Sequence, residues 1–214
     1  MLWRKDLTNK IIFDLDDTLY KEGELRERRE KAIWDLLGEK VKDYLEIRKT
    51  KGTISSLEEL GITRKQFYKL MESVPINLEK DNRLIELLRD LKKKHKLIVL
   101  SNSPRVSVGE TLRQLGVLEL IDEYYGGDDF KSNKPAEENF FMVETGDICV
   151  GNHFEKDLLV PKKKGAISVL VGDSEKGEDS AKPDAFPDSQ SPKKPQRLWD
   201  FHIESIYGLE QLNL

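Results

Sequence analysis

Hydrophobic residues along this chain fall into two patterns. Short apolar runs, from His95 to Leu100 and at Ile11-Ile12-Phe13, Ile148-Cys149-Val150 and Ile167-Ser168-Val169-Leu170-Val171, have the length and β-branched content of parallel strands. Between them, apolar residues recur every three or four positions on a charged background, the period of a helix with one buried face. In Arg26 to Lys49 the series Ile33, Leu36, Leu37, Val41, Tyr44, Leu45 draws one such stripe and predicts a single helix. A second helix starts at Thr63, where Gln66 completes a capping box, and Phe67, Leu70, Met71 and Val74 supply its apolar face between the breakers Gly61 and Pro75. Asp81 to Lys94 turns Leu84, Leu87, Leu88 and Leu91 inward, and Val108, Leu112 and Leu115 mark a further helix closed by Gly116.

Residues 135–144 read as a short helix, and Trp199 to Leu209 as a return to the sheet edge. Asp173 to Arg197, with Pro183, Pro187, Pro192 and Pro195 among Ser, Lys and Asp, reads as a mobile surface loop. Strands alternating with helices predict an α/β fold, a Rossmann-like parallel sheet with helices on both faces. The helical stretch 21–78 is a separable module, which leaves 1–20 and 79–214 as the α/β core.

The polar positions that break this pattern sit where strands end. Asp14 and Asp16 are two residues apart at the close of the first run, on the same side of an extended chain. Two carboxylates held that close repel unless a cation or a proton neutralises them, so packing alone does not account for them. The second run ends in Ser101-Asn102-Ser103 and the third in Gly151-Asn152-His153, with Asp157 soon after; Lys134-Pro135 lies between the two. In open α/β sheets ligands bind beyond the carboxyl ends of the strands, so these loops are expected to meet at one pocket.

Composition narrows the function classes. The single cysteine, Cys149, falls inside a strand and reads as a small buried residue. No stretch approaches a membrane span, and Met1 to Asp6 lacks a secretory apolar run, so a cytoplasmic location without membrane association is expected. Net charge is −4 although 36% of the 214 residues are charged, a dense mixture of signs with no basic field for nucleic acid.

The motifs, in this order, resemble those of the haloacid dehalogenase-like superfamily of phosphotransferases, over most of the chain. Asp14-Leu15-Asp16-Asp17-Thr18 is similar to its first motif, Ser101 to its second and Lys134 to its third, with Lys131 as an alternative. Gly151 to Asp157 is similar to its fourth, except that Asn152 stands where an Asp is usual. The resemblance implies that 21–78 is a helical cap over the site and that the enzyme is a Mg2+-dependent phosphatase of small phosphorylated metabolites. It implies Asp14 as nucleophile and Asp16 as acid and base; Ser101, Asn102 and Lys134 as phosphate-binding groups; and Asp14, Asp16, Asn152 and Asp157 as the metal-holding set. A phosphomutase, or a non-catalytic phosphate- or partner-binding protein on the same scaffold, are the alternatives.

Overall fold

In the computed structural model, which describes residues 9–172 and 198–212, the apolar runs form one six-stranded sheet. Its strands are β1 (Lys10–Phe13), β2 (Lys96–Leu100), β3 (Glu123–Tyr125), β4 (Ile148–Gly151), β5 (Ile167–Val171) and β6 (Phe201–Ile203). They lie in the order β3-β2-β1-β4-β5-β6, and every neighbouring pair is parallel. Both faces are covered, which is why the central strands are apolar throughout rather than alternating. Ile11 and Phe13 join Leu97, Val99 and Val150 in one core, while Ile12 joins Ile98, Cys149, Leu170, Phe140 and Trp199 in the other. Cys149 is buried in that second core, as its strand position predicted.

After β1 the chain moves outward through β2 and β3, then crosses back to β4 on the other side of β1. This reversal opens a crevice at the carboxyl ends of β1, β2 and β4. Helix α5 (Asn82–Lys92), which leads into β2, buries Leu84, Leu87 and Leu88; α6 (Arg105–Leu115) follows it and ends at Gly116, whose φ of +79° makes the left-handed cap predicted there. A short α7 (Leu159–Lys163) leads into β5.

Between β1 and α5 the chain forms α1 (Gly23–Leu37), α2 (Val41–Lys51), α3 (Thr53–Glu59) and α4 (Arg64–Ser73). The stripe read as one helix over Arg26 to Lys49 is two helices, separated by a 3-10 turn at Gly38–Lys40. Gly38 has φ +54°, a conformation that ends a right-handed helix, so the second half starts on a new axis. Ile33, Leu37 and Tyr44 are therefore buried, whereas Leu36 and Leu45 are exposed. The short α3 buries only Ser56 and Leu57, too few positions to show a period. At α4 the predicted capping box is present, with the Gln66 side chain accepting from the Thr63 backbone N–H at 2.9 Å.

Two smaller differences concern the sheet layer. β3 escaped notice because its three residues are all half-buried, and 135–144 holds only a 3-10 turn at Glu137–Phe140. The segment 173–197, read as a loop, lies outside the described residues. β6 pairs with β5 at the sheet edge, as expected for the stretch after Trp199, and no described helix is long and apolar enough to cross a membrane.

Asp81 links two parts of this layer. Its Oδ1 accepts from the Leu84 backbone N–H at 2.9 Å, capping α5, and its Oδ2 accepts from the Tyr207 hydroxyl at 2.5 Å. Asp81→Ala loses the cap and strands the Tyr207 hydroxyl, so urea denaturation should show a loss of about 1–2 kcal/mol.

Candidate active site

The site begins one residue past β1. The Asp14 backbone N–H donates to Val150 O at 2.8 Å, extending the ladder by one step, and the chain then turns with the Thr18 and Leu19 N–H groups both on Leu15 O. Asp17, at the apex of this turn, adopts φ +60°, a left-handed conformation that Asp tolerates, and its carboxylate accepts from the Glu22 N–H at 3.1 Å. Leu15 is thereby buried while the carboxyl groups of Asp14 and Asp16 both reach the same cavity, of about 1050 Å3.

The two carboxyl groups share that cavity but not their partners. Asp14 Oδ1 accepts from Lys134 Nζ at 2.7 Å and its Oδ2 accepts from the Thr18 hydroxyl at 2.8 Å. Asp16 Oδ1 accepts from the Tyr20 hydroxyl at 2.7 Å and from Arg29 at 3.1 Å; its Oδ2 accepts from Ser103 at 2.8 Å and Ser101 at 3.2 Å.

Lys134 is buried, and its ammonium donates to Asp14, to Leu100 O at 2.9 Å and to Asp157 Oδ1 at 2.7 Å, which occupies all three of its protons. The amide of Asn102 brackets the Lys134 backbone, accepting from its N–H at 2.8 Å and donating to its carbonyl at 3.4 Å. Asn102 thus lines the cavity while its side chain is engaged in holding Lys134. Asp157 Oδ2 accepts from the His153 N–H at 3.0 Å. Gly151 makes room for it: a Cβ on Gly151 would lie 2.4 Å from the Asp157 Cβ.

All the site residues expected from the sequence therefore line one cavity: Asp14, Asp16, Ser101, Asn102, Lys134, Asn152 and Asp157. Lys131, the alternative cation, is exposed, and its carbonyl accepts from Arg64.

Charge in the cavity is unevenly compensated. Burial, then Asp157 and Asp16, outweigh Lys134 and push the Asp14 carboxyl up to about 7. Burial acts on Asp16 in the same sense, but Arg29, Tyr20 and Ser103 more than offset it and hold that carboxyl below its ordinary value. Burial opposes the charge on Lys134 too, yet Asp14 and Asp157 win and its pKa is raised. One ammonium faces two carboxyl groups, which leaves one in excess.

Several participants escaped the sequence reading. Arg29 lies in the run Arg26-Glu27-Arg28-Arg29-Glu30, where nothing separates it from its neighbours; only folding buries it between Asp16 and Glu22, which accepts from it at 2.6 Å. Ser103, next to Asn102, and Tyr20, four residues past Asp16, were legible only as strand-end and turn positions. Arg64, opening α4, donates to Gly127 O, Lys131 O and the Asn133 side chain, and the Tyr68 hydroxyl donates to Asn133 Oδ1 at 2.7 Å. These contacts fasten α4 to the loop that carries Lys134.

A family model described as haloacid dehalogenase-like hydrolase matches residues 9–144, a span that includes the Asp14 turn, Ser101 and Lys134. The chain belongs to the haloacid dehalogenase-like hydrolases. Its fold is shared with a HAD phosphatase from Thermococcus onnurineus, at 19% identity and TM-score 0.63 over 95% of this chain and 96% of that one. It is shared likewise with the Bacillus subtilis hydrolase YfnB bound to magnesium, at 15% identity and TM-score 0.59 over 96% and 99%. A 2-haloacid dehalogenase from Pseudomonas syringae has the same architecture at 19% identity and TM-score 0.57 over 95% and 96%. Comparison with curated proteins gave no match. This hydrolase therefore shares its scaffold with both phosphatases and dehalogenases.

The raised Asp14 pKa has a consequence for stability. The unfolded chain ionises near pH 4 and the folded one near 7, so the folded state loses stability as pH rises through that window and does not regain it above. In metal-free buffer Asp14→Asn removes this loss. Urea melts should find the variant more stable than the native protein at pH 8, by about 1–3 kcal/mol, with the gap closing towards pH 4.

Proposed function

We propose that this hydrolase is a Mg2+-dependent phosphatase of small phosphate monoesters that works through an aspartyl-phosphate on Asp14, with residues 21–78 as a cap over the site. The observation that carries the reading is the pair of carboxyl groups in one cavity with a buried ammonium between Asp14 and Asp157. Displacement at carbon, as in a dehalogenase, needs no acid for its halide leaving group and would leave Asp16 idle. Cleavage of a P–O ester needs one, because an alkoxide is a poor leaving group.

In this scheme an oxygen of Asp14 attacks phosphorus, and Asp16 gives its proton to the departing ester oxygen, so the P–O bond breaks as the alcohol forms. Water then attacks the phosphoryl group, and Asp16 takes its proton, which restores both carboxyl groups and releases phosphate. The dianionic phosphoryl group entering beside Asp16 favours the protonated carboxyl that the first step uses. Ser101, whose hydroxyl accepts from the Ser103 N–H at 3.0 Å, would turn its own proton from Asp16 to a phosphoryl oxygen, and Lys134, whose three protons are already taken, would contribute its positive charge.

The donor chemistry fits Mg2+. Among the described residues no cluster of three His, Cys, Asp or Glu side chains could hold an ion by itself. A cation here would rest on the Asp14 carboxylate, the Asp16 backbone carbonyl, the Asn152 amide oxygen and water, the mixed oxygen set that Mg2+ accepts. Asp157, with both oxygens engaged by Lys134 and the His153 N–H, would act through water. Mg2+ supplies the positive charge that offsets repulsion between the Asp14 carboxylate and the phosphate.

Phosphate release from para-nitrophenyl phosphate tests the reading. It should require Mg2+, stop in EDTA and in Asp14→Asn, and fall about 10²–10⁴-fold in kcat for Asp16→Ala. Release that survives in Asp14→Asn would exclude the covalent route.

Asn152 contributes an oxygen but no charge. Asn152→Asp should tighten Mg2+ roughly tenfold, read by titration of Tm against Mg2+. Equal or weaker binding in the variant would place the ion elsewhere.

A further inference from the structure

Lys134 reaches the site from a stretch of chain with little regular structure of its own. Among the described residues, no backbone N–H from Lys131 to Lys134 donates to a backbone carbonyl. Side chains hold the stretch instead. The Ser132 N–H donates to Glu138 at 2.7 Å, its carbonyl accepts from Asn139 at 3.0 Å, and Lys134 is bracketed by Asn102. Further anchors come from α4, in the helical insertion between β1 and α5.

Arg64 opens that helix and spreads its guanidinium over the Gly127 and Lys131 carbonyls and the Asn133 amide oxygen. These acceptors are neutral and lie at separate points of the loop, so the planar fork spends its donors on holding a shape rather than on neutralising a charge. One turn on, the Tyr68 hydroxyl accepts from Arg64 Nε at 3.1 Å and donates to Asn133 Oδ1 at 2.7 Å. Tyr68 also rests on Gly127, which has no room for a side chain: a Cβ there would run into the Tyr68 hydroxyl and would lie 2.6 Å from Asn102 O. Helix α4 therefore bears on Lys134 by two routes. One runs through Asn133, its neighbour in the chain, and the other through Gly127 onto Asn102, whose amide brackets it.

We propose that Arg64 is a positioning residue for the reaction: with Tyr68 it fixes, from the helical insertion, the stretch that delivers the Lys134 ammonium to Asp14 and Asp157. Neither Arg64 nor Tyr68 lines the cavity, so neither meets the substrate. This deepens the phosphatase reading and rests on it for the part that Lys134 plays. The ammonium balances charge around the attacking carboxylate, so its displacement falls on the step at phosphorus rather than on capture of the ester.

The test joins steady-state kinetics of the Mg2+-loaded full chain on para-nitrophenyl phosphate to amide hydrogen exchange. Arg64→Met, which keeps most of the side-chain length and removes its donors, should lower kcat about 10–100-fold with KM within about twofold of native. Tyr68→Phe, the milder change, should lower kcat about three- to tenfold. Guanidinium ion below denaturing concentration should raise kcat of Arg64→Met at least about threefold and leave the native protein unaffected. Asp81→Ala, which weakens the fold away from the site, should keep the native kcat. An unchanged kcat in Arg64→Met overturns the proposal, as does a rise in KM alone, or a loss of kcat in Asp81→Ala as large as that in Arg64→Met.

Exchange separates this idea from the phosphatase reading. The Lys134 N–H, held by Asn102, should exchange about tenfold faster in Arg64→Met while the amides of β4 and β5 stay unchanged. A native protein inert towards para-nitrophenyl phosphate, with that change in the variant, would sink the phosphatase and keep the clasp; an active protein whose Lys134 N–H exchanges alike in both forms would do the reverse.

Discussion

One buried ammonium group ties the centre of this molecule together. Lys134 Nζ reaches the end of β2 through Leu100 O, the end of β1 through Asp14 and the turn after β4 through Asp157. A charge taken out of water is tolerated only where each of its protons finds a partner, so the three strand ends must hold their relative positions for Lys134 to remain buried. The demand spreads outward. Asn102 pins the backbone of Lys134, Gly151 leaves space for Asp157, and the His153 N–H fixes the second Asp157 oxygen. None of these contacts is exposed, and each depends on the parallel register that sets Phe13 between Val99 and Val150.

How much of this could be read from the chain follows from how local each signal is. The strands were legible because continuous apolar runs are the local mark of a sheet covered on both faces; Asp14, Asp16, Ser101, Asn102 and Asn152 were legible because they stand where such runs break, and Lys134 and Asp157 through the family resemblance. The break in the first long helix was harder: the apolar stripe continues past Gly38 in sequence although the axis changes there, and only the backbone conformation reveals it. β3 and α3 bury too little to leave a period. Lys134 could be separated from Lys131 only by burial, since both are lysines in the same polar loop. The partners of Asp16 lay beyond reach for another reason. The turn carrying Ser101 and Ser103 was expected at this pocket from its place at a strand end, but which of its hydroxyls reach Asp16, and the arrival of Arg29 from a helix, are tertiary facts without a sequence pattern.

Asp14 and Asp16 are the same residue type in one cavity, and their surroundings drive them apart. Asp14 is held towards its neutral form by burial and by the nearby carboxyl groups, with one ammonium shared between it and Asp157. Asp16 is held ionised by four donors, two of them hydroxyls from the β2 turn. Groups of one kind pushed in opposite directions are a frequent mark of divided chemical labour. They also carry a cost, because an excess carboxyl group weakens the fold that holds it. The surrounding sheet, apolar on both faces, supplies the stability that tolerates it.

Helix α4 connects this centre to the rest of the cavity. Arg64 and Tyr68, four apart, face the loop before Lys134, while Phe67 and Met71, also four apart, face the cavity. The second pair lies three residues after the first, about 60° around the helix, so the four side chains share one broad face and a rotation of α4 that moved the apolar pair would also pull on the clasp. Tyr68 contributes to both sides of that coupling: its ring packs against Phe67 with centroids 5.6 Å apart, and its hydroxyl bonds Asn133, the residue before Lys134. The contour of the cavity wall and the position of the buried ammonium are thus set by consecutive residues of one short helix, and any change in its packing is felt at both.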